Sequence, residues 1–480
     1  MSGTPDPRRW QALGLICTAV FMTVLDIAIV NVALPSIGEK LNFSPDSLQW
    51  VITAYAITFG GFLLLGGRAA DLLGRRRVFM VGLAIFTCAS LACGLASSEA
   101  FLIVARGIQG FGAAIVSPAA LSIVSTTFEE GAERNKALGI WGAVAGSGAA
   151  VGVLLGGVLT TYLGWEWIFY VNVPVGAACL ALTPFFVHES RVESAERHYD
   201  AAGAVAITAA LILLVFAVSK APDVGWGSAR TIGLLVASAA LTLAFLVIES
   251  RARQPLMPFS IFRVRVLAGA NVVGFLLGGA IFGSFFLLTQ YMQVILGYSA
   301  LKAGVALLAT AGTSVLAAGV AQALVTRVGV MKILATGMAL IAIGQYLYTR
   351  FPVDGSYATD LLPGFVASGV GIAFAFVPVS IAALAGVRAE QAGLASGLIN
   401  TTQQIGGAIG TAIVSSVAIS SLSFKPHLTP SEAAQVVVGY SHGFWVGFGF
   451  AVAAVAATIL MIRERDVVTA TGEEPVRAAA

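Results

Sequence analysis

The stretch QALGLICTAVFMTVLDIAIVNVAL (Gln11–Leu34) is an apolar run that contains one charged side chain, Asp26. A helix crosses the hydrocarbon of a bilayer in about 20 residues, so this run is long enough to span it. Inside hydrocarbon every backbone polar group has to pair within its own segment, which predicts helices here. We count fourteen such runs, at 11–34, 48–67, 78–96, 100–125, 137–162, 168–188, 201–219, 231–248, 266–295, 303–323, 331–349, 360–384, 397–422 and 441–462.

The composition of the whole chain agrees with this first run. Of its 480 residues 58% are apolar and 11% are charged, whereas about a quarter of a soluble domain is charged. The mean hydropathy is +0.90, which excludes a soluble globular enzyme. The net charge of +3 is too small to indicate a nucleic-acid partner. We therefore predict an all-α integral membrane protein with fourteen transmembrane helices.

The positions of the lysines and arginines predict how the chain is oriented. If the N-terminus is cytoplasmic, 20 of the 27 basic residues fall in cytoplasmic segments, six fall outside, and Arg106 lies within a span. Basic residues concentrate on the cytoplasmic side of membrane proteins. This favours a multi-pass protein of the inner (cytoplasmic) membrane with both termini in the cytoplasm.

The chain contains a weak internal repeat. Gly74, in the loop after the second run, matches Gly329 after the tenth at an offset of 255 residues. Two further matches lie at nearly the same offset: Leu41 with Leu296, and Ala132-Glu133 with Ala389-Glu390. Paired six-helix halves are a common transporter plan, with the binding site between them near the midplane. Chance similarity among Gly/Ala/Leu-rich helices is the alternative.

This repeat predicts the domain organisation. Residues 1–200 form an N-terminal six-helix half, and 263–480 form a C-terminal six-helix half with a short cytoplasmic tail. Residues 201–262 are two inserted helices and a linker, and we expect these helices to pack at the periphery, away from the cavity.

Asp26 lies in the middle of its span, within LDIAIVNVALP (Leu25–Pro35). A carboxylate at this depth costs about 2.5–3.5 kcal/mol on insertion scales and usually faces a cavity or a partner. The functional interpretation is a proton-binding site that a cationic substrate could share. The alternative is a structural acid that only accepts hydrogen bonds.

Arg106 lies inside the fourth run, within LIVARGIQGFGAA (Leu102–Ala114), and Gln109 follows on the same helical face. A guanidinium keeps its proton, so it needs a partner in a membrane. It either holds a negative end of the substrate or tunes a proton site. A purely structural bridge to backbone carbonyls or to Gln109 is the alternative.

Two glycine-containing segments are predicted to serve conformational change. In GRAADLLGRRR, which joins the second and third runs, the switch residues are Gly67, Asp71, Gly74, Arg75 and Arg76. Here a turn at Gly74 and an acid–base pair could lock one conformation. In GAAVGVLLGG the spacing of Gly148, Gly152, Gly156 and the adjacent Gly157 gives a face that a neighbouring helix can approach closely. A static packing groove and a sliding surface fit this spacing equally well.

Neutral polar side chains supply the remaining candidates, since the second half has no buried acid. Helix–helix hydrogen bonding is as good an explanation for each of them as a place on a cavity wall. The candidates for lining a substrate cavity are Asn31, Gln109, Gln290, Gln293, Asn400 and Gln404.

Several chemistries are excluded by absent patterns. No GxxxxGK[ST] is present, so nucleotide hydrolysis by that route is excluded. The four histidines are scattered, and no paired intramembrane aspartate occurs, so we expect neither an enzyme nor a metal site. We expect no cofactor, and we expect a monomer.

On these motifs the chain resembles the major facilitator superfamily, and within it the fourteen-span drug:proton antiporter family. LDIAIVNVALP is similar to the span-1 motif with Asp26 at its acidic position, and GRAADLLGRRR is similar to the loop 2–3 motif. LIVARGIQGFGAA is similar to the span-4 motif, so the resemblance implies a role in proton transfer for Arg106. GAAVGVLLGG is similar to the antiporter motif, with Val153 where a proline is usual.

The resulting prediction is a proton-coupled exporter of small amphipathic or cationic compounds, such as drugs and antibiotics, working by alternating access. Its partners are a small-molecule substrate, protons and the bilayer. One alternative is a dedicated exporter of a single metabolite or self-made antibiotic. An alternative of another class is a non-transporting membrane sensor or scaffold.

Overall fold

The computed structural model describes residues 8–128, 132–190, 201–252, 263–385, 392–419 and 428–463. Within these ranges the chain is helical and contains no strand. Two short helices lie between longer ones, at Pro45–Leu48 and Trp167–Tyr170. Two π-helical segments continue directly into or out of longer helices, at Tyr291–Ile295 and Tyr357–Leu361. The fourteen longer helices of the described ranges are α1 (Arg9–Lys40), α2 (Trp50–Leu73), α3 (Arg75–Gly94), α4 (Glu99–Thr127), α5 (Ala132–Tyr162), α6 (Asn172–Phe186), α7 (Ala201–Val224), α8 (Ala229–Arg251), α9 (Arg265–Gln290), α10 (Ala300–Val328), α11 (Val330–Tyr348), α12 (Leu362–Leu384), α13 (Ala392–Ile419) and α14 (Pro430–Met461).

The all-helical membrane fold is confirmed, since each predicted apolar run coincides with one of these helices. In the described part of the chain, ten helices are long and apolar enough to cross a membrane. The apolar parts of α2, α5 and α7 are shorter, at Trp50–Leu63, Val151–Tyr162 and Val205–Val218. The count of fourteen spans therefore stays a prediction.

The helices form two groups of six that pack in the same way. In the first group α1 packs on α5 and α6, α4 packs on α2 and α3, and α3 packs on α6. In the second group α9 packs on α13 and α14, α12 packs on α10 and α11, and α11 packs on α14. Each of these contacts in the first group has its counterpart in the second when the helix numbers are raised by eight, which is the packing that an internal repeat predicts. The domain boundaries at 200 and 262 lie outside the described residues and stay predictions.

The two halves meet through the helix pairs α2–α13 and α5–α10. At the end where α1 stops and α2 begins, both halves contribute to one apolar core that includes Leu34, Phe286 and Phe351. At the opposite end each half has its own core, one around Phe79 and the other around Leu334. We call these the joined end and the split end.

The inserted helices lie at the seam between the halves. Helix α7 packs against both α2 and α13, and α8 packs on α7. An apolar cluster joins Leu211 and Val215 of α7 to Ala56 of α2 and Ala412 of α13. Helix α7 therefore packs against both halves at one inter-half contact, and the expected peripheral position stays a prediction.

Candidate functional site

Asp26 and Arg106 form an ion pair in the interior of the first half. Arg106 Nη1 donates to Asp26 Oδ2 at 2.6 Å, and the relative exposure of the two side chains is 1% and 0%. Helix α1 supplies the carboxylate and α4 the guanidinium. Because the desolvation of two buried charges is costly, such a pair persists only where further hydrogen bonds satisfy the remaining polar atoms.

Those further hydrogen bonds are present. Asp26 Oδ1 accepts from Gln109 Nε2 at 2.8 Å and from Asn172 Nδ2 at 2.9 Å. Arg106 donates from Nε to the Val51 carbonyl at 2.8 Å and from Nη1 to Gln109 Oε1 at 2.6 Å. Both carboxylate oxygens are therefore occupied, and one charge pair ties together α1, α2, α4 and α6.

The surroundings of the pair extend this network and bury it against aromatic rings. Gln109 Nε2 also donates to the Ser90 hydroxyl of α3 at 2.8 Å. The Arg106 guanidinium lies over the Tyr55 ring, with Cζ 4.4 Å from its centroid, and 5.7 Å from the Phe169 ring. Protonation of Asp26 would leave the buried guanidinium without a countercharge, so the arrangement can link a protonation event to a rearrangement of helices.

A small cavity lies between the halves beside this pair and has room for about one water molecule. Arg106 forms part of its wall, whereas Asp26 does not. The lining residues are Ile27, Ile52, Tyr55, Ala56 and Arg106 from the first half, and Phe282, Gln404, Gly407 and Thr411 from the second.

Of the predicted cavity residues, Gln404 lies on this wall. Gln109 is fully buried within the ion-pair network. Asn31 does not line this cavity, and one of its amide N–H groups donates to the Ile27 carbonyl of its own helix at 2.8 Å.

The other three candidates lie elsewhere. Gln293 Nε2 donates to the Val32 carbonyl at 2.8 Å and so connects the two halves near the joined end. Gln290 is buried at the end of α9, and Asn400 is exposed on α13. In this conformation none of the three lines the cavity next to Arg106.

The loop between α2 and α3 is held by a carboxylate that the sequence did not indicate. Gly74 has φ of +107°, a conformation that favours glycine. Glu189, which follows α6, accepts from the backbone N–H of Arg76 at 3.1 Å and of Arg77 at 3.2 Å. The Arg75 N–H donates to the Ser190 carbonyl at 3.0 Å. Glu189 therefore caps the N-terminus of α3, where a negative charge also stabilises the helix dipole.

The structure says less about the two remaining switch residues, Asp71 and Gly67. The side chain of Asp71 lies outside what the structure describes, so its predicted pairing stays a prediction. A Cβ on Gly67 would lie 3.4 Å from Pro118 of α4, which is an ordinary helix contact.

The glycines of α5 serve two different contacts. Gly148, Gly152 and Gly156 face α1, where a Cβ on Gly152 would lie 2.8 Å from the Leu25 carbonyl oxygen. Gly157 faces α10 of the other half, where a Cβ would lie 2.7 Å from Leu301 Cα. The first face is packing within a half, and the second belongs to a contact between halves.

Sequence reasoning missed several residues of the site. Asn172 lies in a run of otherwise apolar residues, WIFYVNVPVG, where a lone amide could have marked it. Tyr55 and Thr411 carry no such signal, because aromatic and threonine side chains are ordinary in membrane helices. Glu189 is distant in sequence from the loop that it caps, so only the packing of α6 beside α3 shows the connection.

Comparisons with known proteins agree with this architecture. The puromycin resistance protein pur8 of Streptomyces alboniger is 39% identical over 99% of this chain and 96% of that protein. The cephamycin export protein CmcT of Amycolatopsis lactamdurans is 40% identical over 89% of each chain. The multidrug resistance protein Stp of Mycobacterium tuberculosis is 38% identical over 88% of this chain and 78% of that protein.

Solved structures show the same fold at low sequence identity. A bacterial homologue of the lysosomal transporter Spinster, described as inward-facing and unoccupied, matches with a TM-score of 0.66 and 16% identity over 97% of this chain and 99% of its own. The family model for the Major Facilitator Superfamily matches residues 16–411. With this match, the relatives and the paired six-helix packing, the chain belongs to the Major Facilitator Superfamily.

Proposed function

We propose that this protein is a proton-coupled exporter of small amphipathic compounds, located in the inner membrane with both termini in the cytoplasm. The observation that carries the proposal is the Asp26–Arg106 pair. Both of its side chains are buried, whereas the pairs Arg9–Glu133, Arg76–Glu189 and Arg77–Glu189 are all partly exposed. Burying an ionisable side chain inside a membrane costs free energy. Such a residue is therefore interpreted as part of a functional site by default.

Protons and substrate would use the site in alternation. In the proposed orientation the split end faces the cytoplasm, so this conformation is the one that takes up substrate. After the halves rock, a proton from outside reaches Asp26, the pair with Arg106 loosens, and substrate leaves. Deprotonation toward the cytoplasm restores the pair and completes the cycle.

The relatives suggest the breadth of the substrate range. Their names include resistance to or export of single antibiotics, namely puromycin, cephamycin, tetracenomycin C and lincomycin, and one names multidrug resistance. A dedicated exporter of one antibiotic-like compound is therefore the second candidate. A panel of these four compounds distinguishes the two, since a single responding compound favours the dedicated exporter.

The decisive experiment follows proton movement in reconstituted vesicles. The protein is placed in vesicles with an imposed pH gradient, and each compound of the panel is added while the lumenal pH is recorded. We expect at least one compound to dissipate the gradient with wild-type protein and none to do so with Asp26→Asn.

A matched control comes from the same helix. Glu39 is an exposed carboxylate near the end of α1, so Glu39→Gln makes the same chemical change outside the interior and should transport normally. If Asp26→Asn still couples substrate to protons as the wild type does, Asp26 is not the coupling site.

A further inference from the structure

Two residues on the wall of the small inter-half cavity carry buried hydroxyl groups without a partner in the described part of the chain. Tyr55 of α2 is 2% exposed and Thr411 of α13 is 1% exposed, and both line the cavity. Neither hydroxyl has a hydrogen-bond partner among the residues that the structure describes. One hydroxyl comes from each half of the molecule, so a group bound between them would contact both halves.

Such hydroxyls indicate a polar occupant. A buried hydroxyl without a partner is costly, and native proteins rarely keep one unless water or a ligand satisfies it. The cavity has room for about one water molecule. An oxygen atom of a substrate has about the same size, so the cavity would take this atom alone, beside the apolar side chains of Ile27, Ile52 and Phe282.

The charges around the cavity select against ionic groups. Arg106 lies on the wall, whereas both oxygens of Asp26 are occupied and turned into the protein. Asp26 neutralises the Arg106 guanidinium, so the ion pair carries no net charge. A cationic or an anionic group would therefore lose its hydration at this wall without gaining a net countercharge. An uncharged hydrogen-bond acceptor loses little on entry and gains the two hydroxyl donors.

We propose that this cavity is a substrate subsite for an uncharged hydrogen-bond acceptor, such as a carbonyl oxygen, which the Tyr55 and Thr411 hydroxyls recognise from opposite halves. The inference rests on the proposed export function and narrows its substrates to uncharged amphiphiles. It also brings substrate next to the proton site, because the Tyr55 ring lies against Arg106.

Three probes of similar bulk and different charge test the proposal. Triphenylphosphine oxide is neutral and carries one strong acceptor, tetraphenylphosphonium is a permanent cation, and tetraphenylborate is a permanent anion. Binding of each to the purified full-length protein is measured at one pH without a proton gradient. We expect the oxide to bind more tightly than either ion.

Variants that remove only a hydroxyl locate the subsite. Tyr55→Phe keeps the ring against Arg106, and Thr411→Val keeps the shape of the side chain. Each should weaken binding of the oxide by about five- to tenfold, the effect of one hydrogen bond, without changing the binding of the two ions.

The chain offers matched controls for both changes. Tyr440 and Thr310 are buried and their hydroxyls also have no partner in the described residues, but neither lines this cavity. Tyr440→Phe and Thr310→Val should therefore leave oxide binding unchanged. If Tyr55→Phe and Thr411→Val bind the oxide as these controls do, the subsite does not exist. Failure of the wild type to bind the oxide, or tighter binding of an ion, overturns the proposal as well.

This measurement is independent of the coupling experiment. An exporter that does not use Asp26 for protons would still show the oxide preference, and a proton-coupled exporter of cations would show the reverse order. Failure of the proposed function and failure of this inference therefore give different results.

Discussion

The two six-helix halves have the same packing but different buried chemistry. At the offset of 255 residues, Gln345 of α11 corresponds to Ser90 of α3, and Ile281 of α9 corresponds to Asp26 of α1. In the second half Gln345 donates to the Ala280 carbonyl at 2.9 Å and to the Ser284 hydroxyl. The first half uses a charged network at the matching place, whereas the second uses an uncharged one.

This difference shows which buried groups the scaffold requires. The second half keeps the corresponding main helix contacts with Ile281 where the first half has Asp26, so these contacts do not require a charge at that position. The charges of the first half are then better explained by function than by stability, because a buried ion pair is weak evidence for stability. In the proposed cycle, protonation of Asp26 would change the buried network of the first half and leave the matching network around Gln345 as it is.

The largest expected effect comes from Arg106→Gln. This change leaves the Asp26 carboxylate buried without its countercharge, and breaking a buried pair in this way costs about 3–5 kcal/mol. We expect a large drop in the unfolding temperature of the purified protein in detergent, together with loss of pH-driven transport.

The double variant Asp26→Asn/Arg106→Gln gives this prediction its control. It replaces both charges by amides, so the first half then has an uncharged network like that of the second. We expect most of the lost stability to return, and we expect transport to remain uncoupled from protons. Equal instability of the single and double variants would show that the charges are also needed for folding.

Gln345→Leu removes the corresponding network from the second half. Two hydrogen bonds are lost, each worth about 0.5–1.5 kcal/mol net, so we expect a smaller loss of stability than for Arg106→Gln. Proton-coupled transport should persist, because no titratable group is changed. Loss of coupling with an intact fold would contradict the division of roles between the halves. Thermal unfolding and vesicle proton flux measure the two outcomes separately.

Glu189→Ala tests the cap on α3 of the first half. The variant removes the carboxylate that accepts from the N–H groups of Arg76 and Arg77, and we expect a loss of about 1 kcal/mol. Glu189→Gln keeps an acceptor oxygen without the charge and should lose less. If both variants unfold at the wild-type temperature, the contact has no structural role.

The sequence predicted the scaffold well, because each part of it has a local signal. Apolar runs predict the helices, and the matching positions of Gly74 and Gly329 reflect two turns with positive φ that start α3 and α11. Asp26 and Arg106 are conspicuous because charge is rare in a span. Their contact depends on how α1 packs near α4. The sequence alone left several partners open for Arg106, including a substrate, a proton site, backbone carbonyls and Gln109.

The site residues that the sequence did not predict are defined by contacts between segments that are distant in the chain. Asn172 becomes a ligand of Asp26 only because α6 packs on α1, and Tyr55 meets Arg106 only because α2 packs on α4. For the same reason the sequence could not distinguish the Asn and Gln side chains that line a cavity from those that only bond between helices. Gln404 reaches the cavity, whereas Gln293 connects the halves, and nothing in their spacing distinguishes these two outcomes.

The smallest expected effect concerns the ion pair between Arg9 and Glu133, which joins the starts of α1 and α5 at 2.7 Å. The side chains are 16% and 50% exposed, so water and salt screen their attraction, and such pairs contribute about 0.2–1 kcal/mol or less. We expect Glu133→Gln to shift the unfolding temperature barely at low salt and not at all at high salt. A shift as large as that of Glu189→Ala would mean that the split end of the first half is held by charge. The two halves would then differ in the interactions that hold their helix ends together as well as in their buried polar networks.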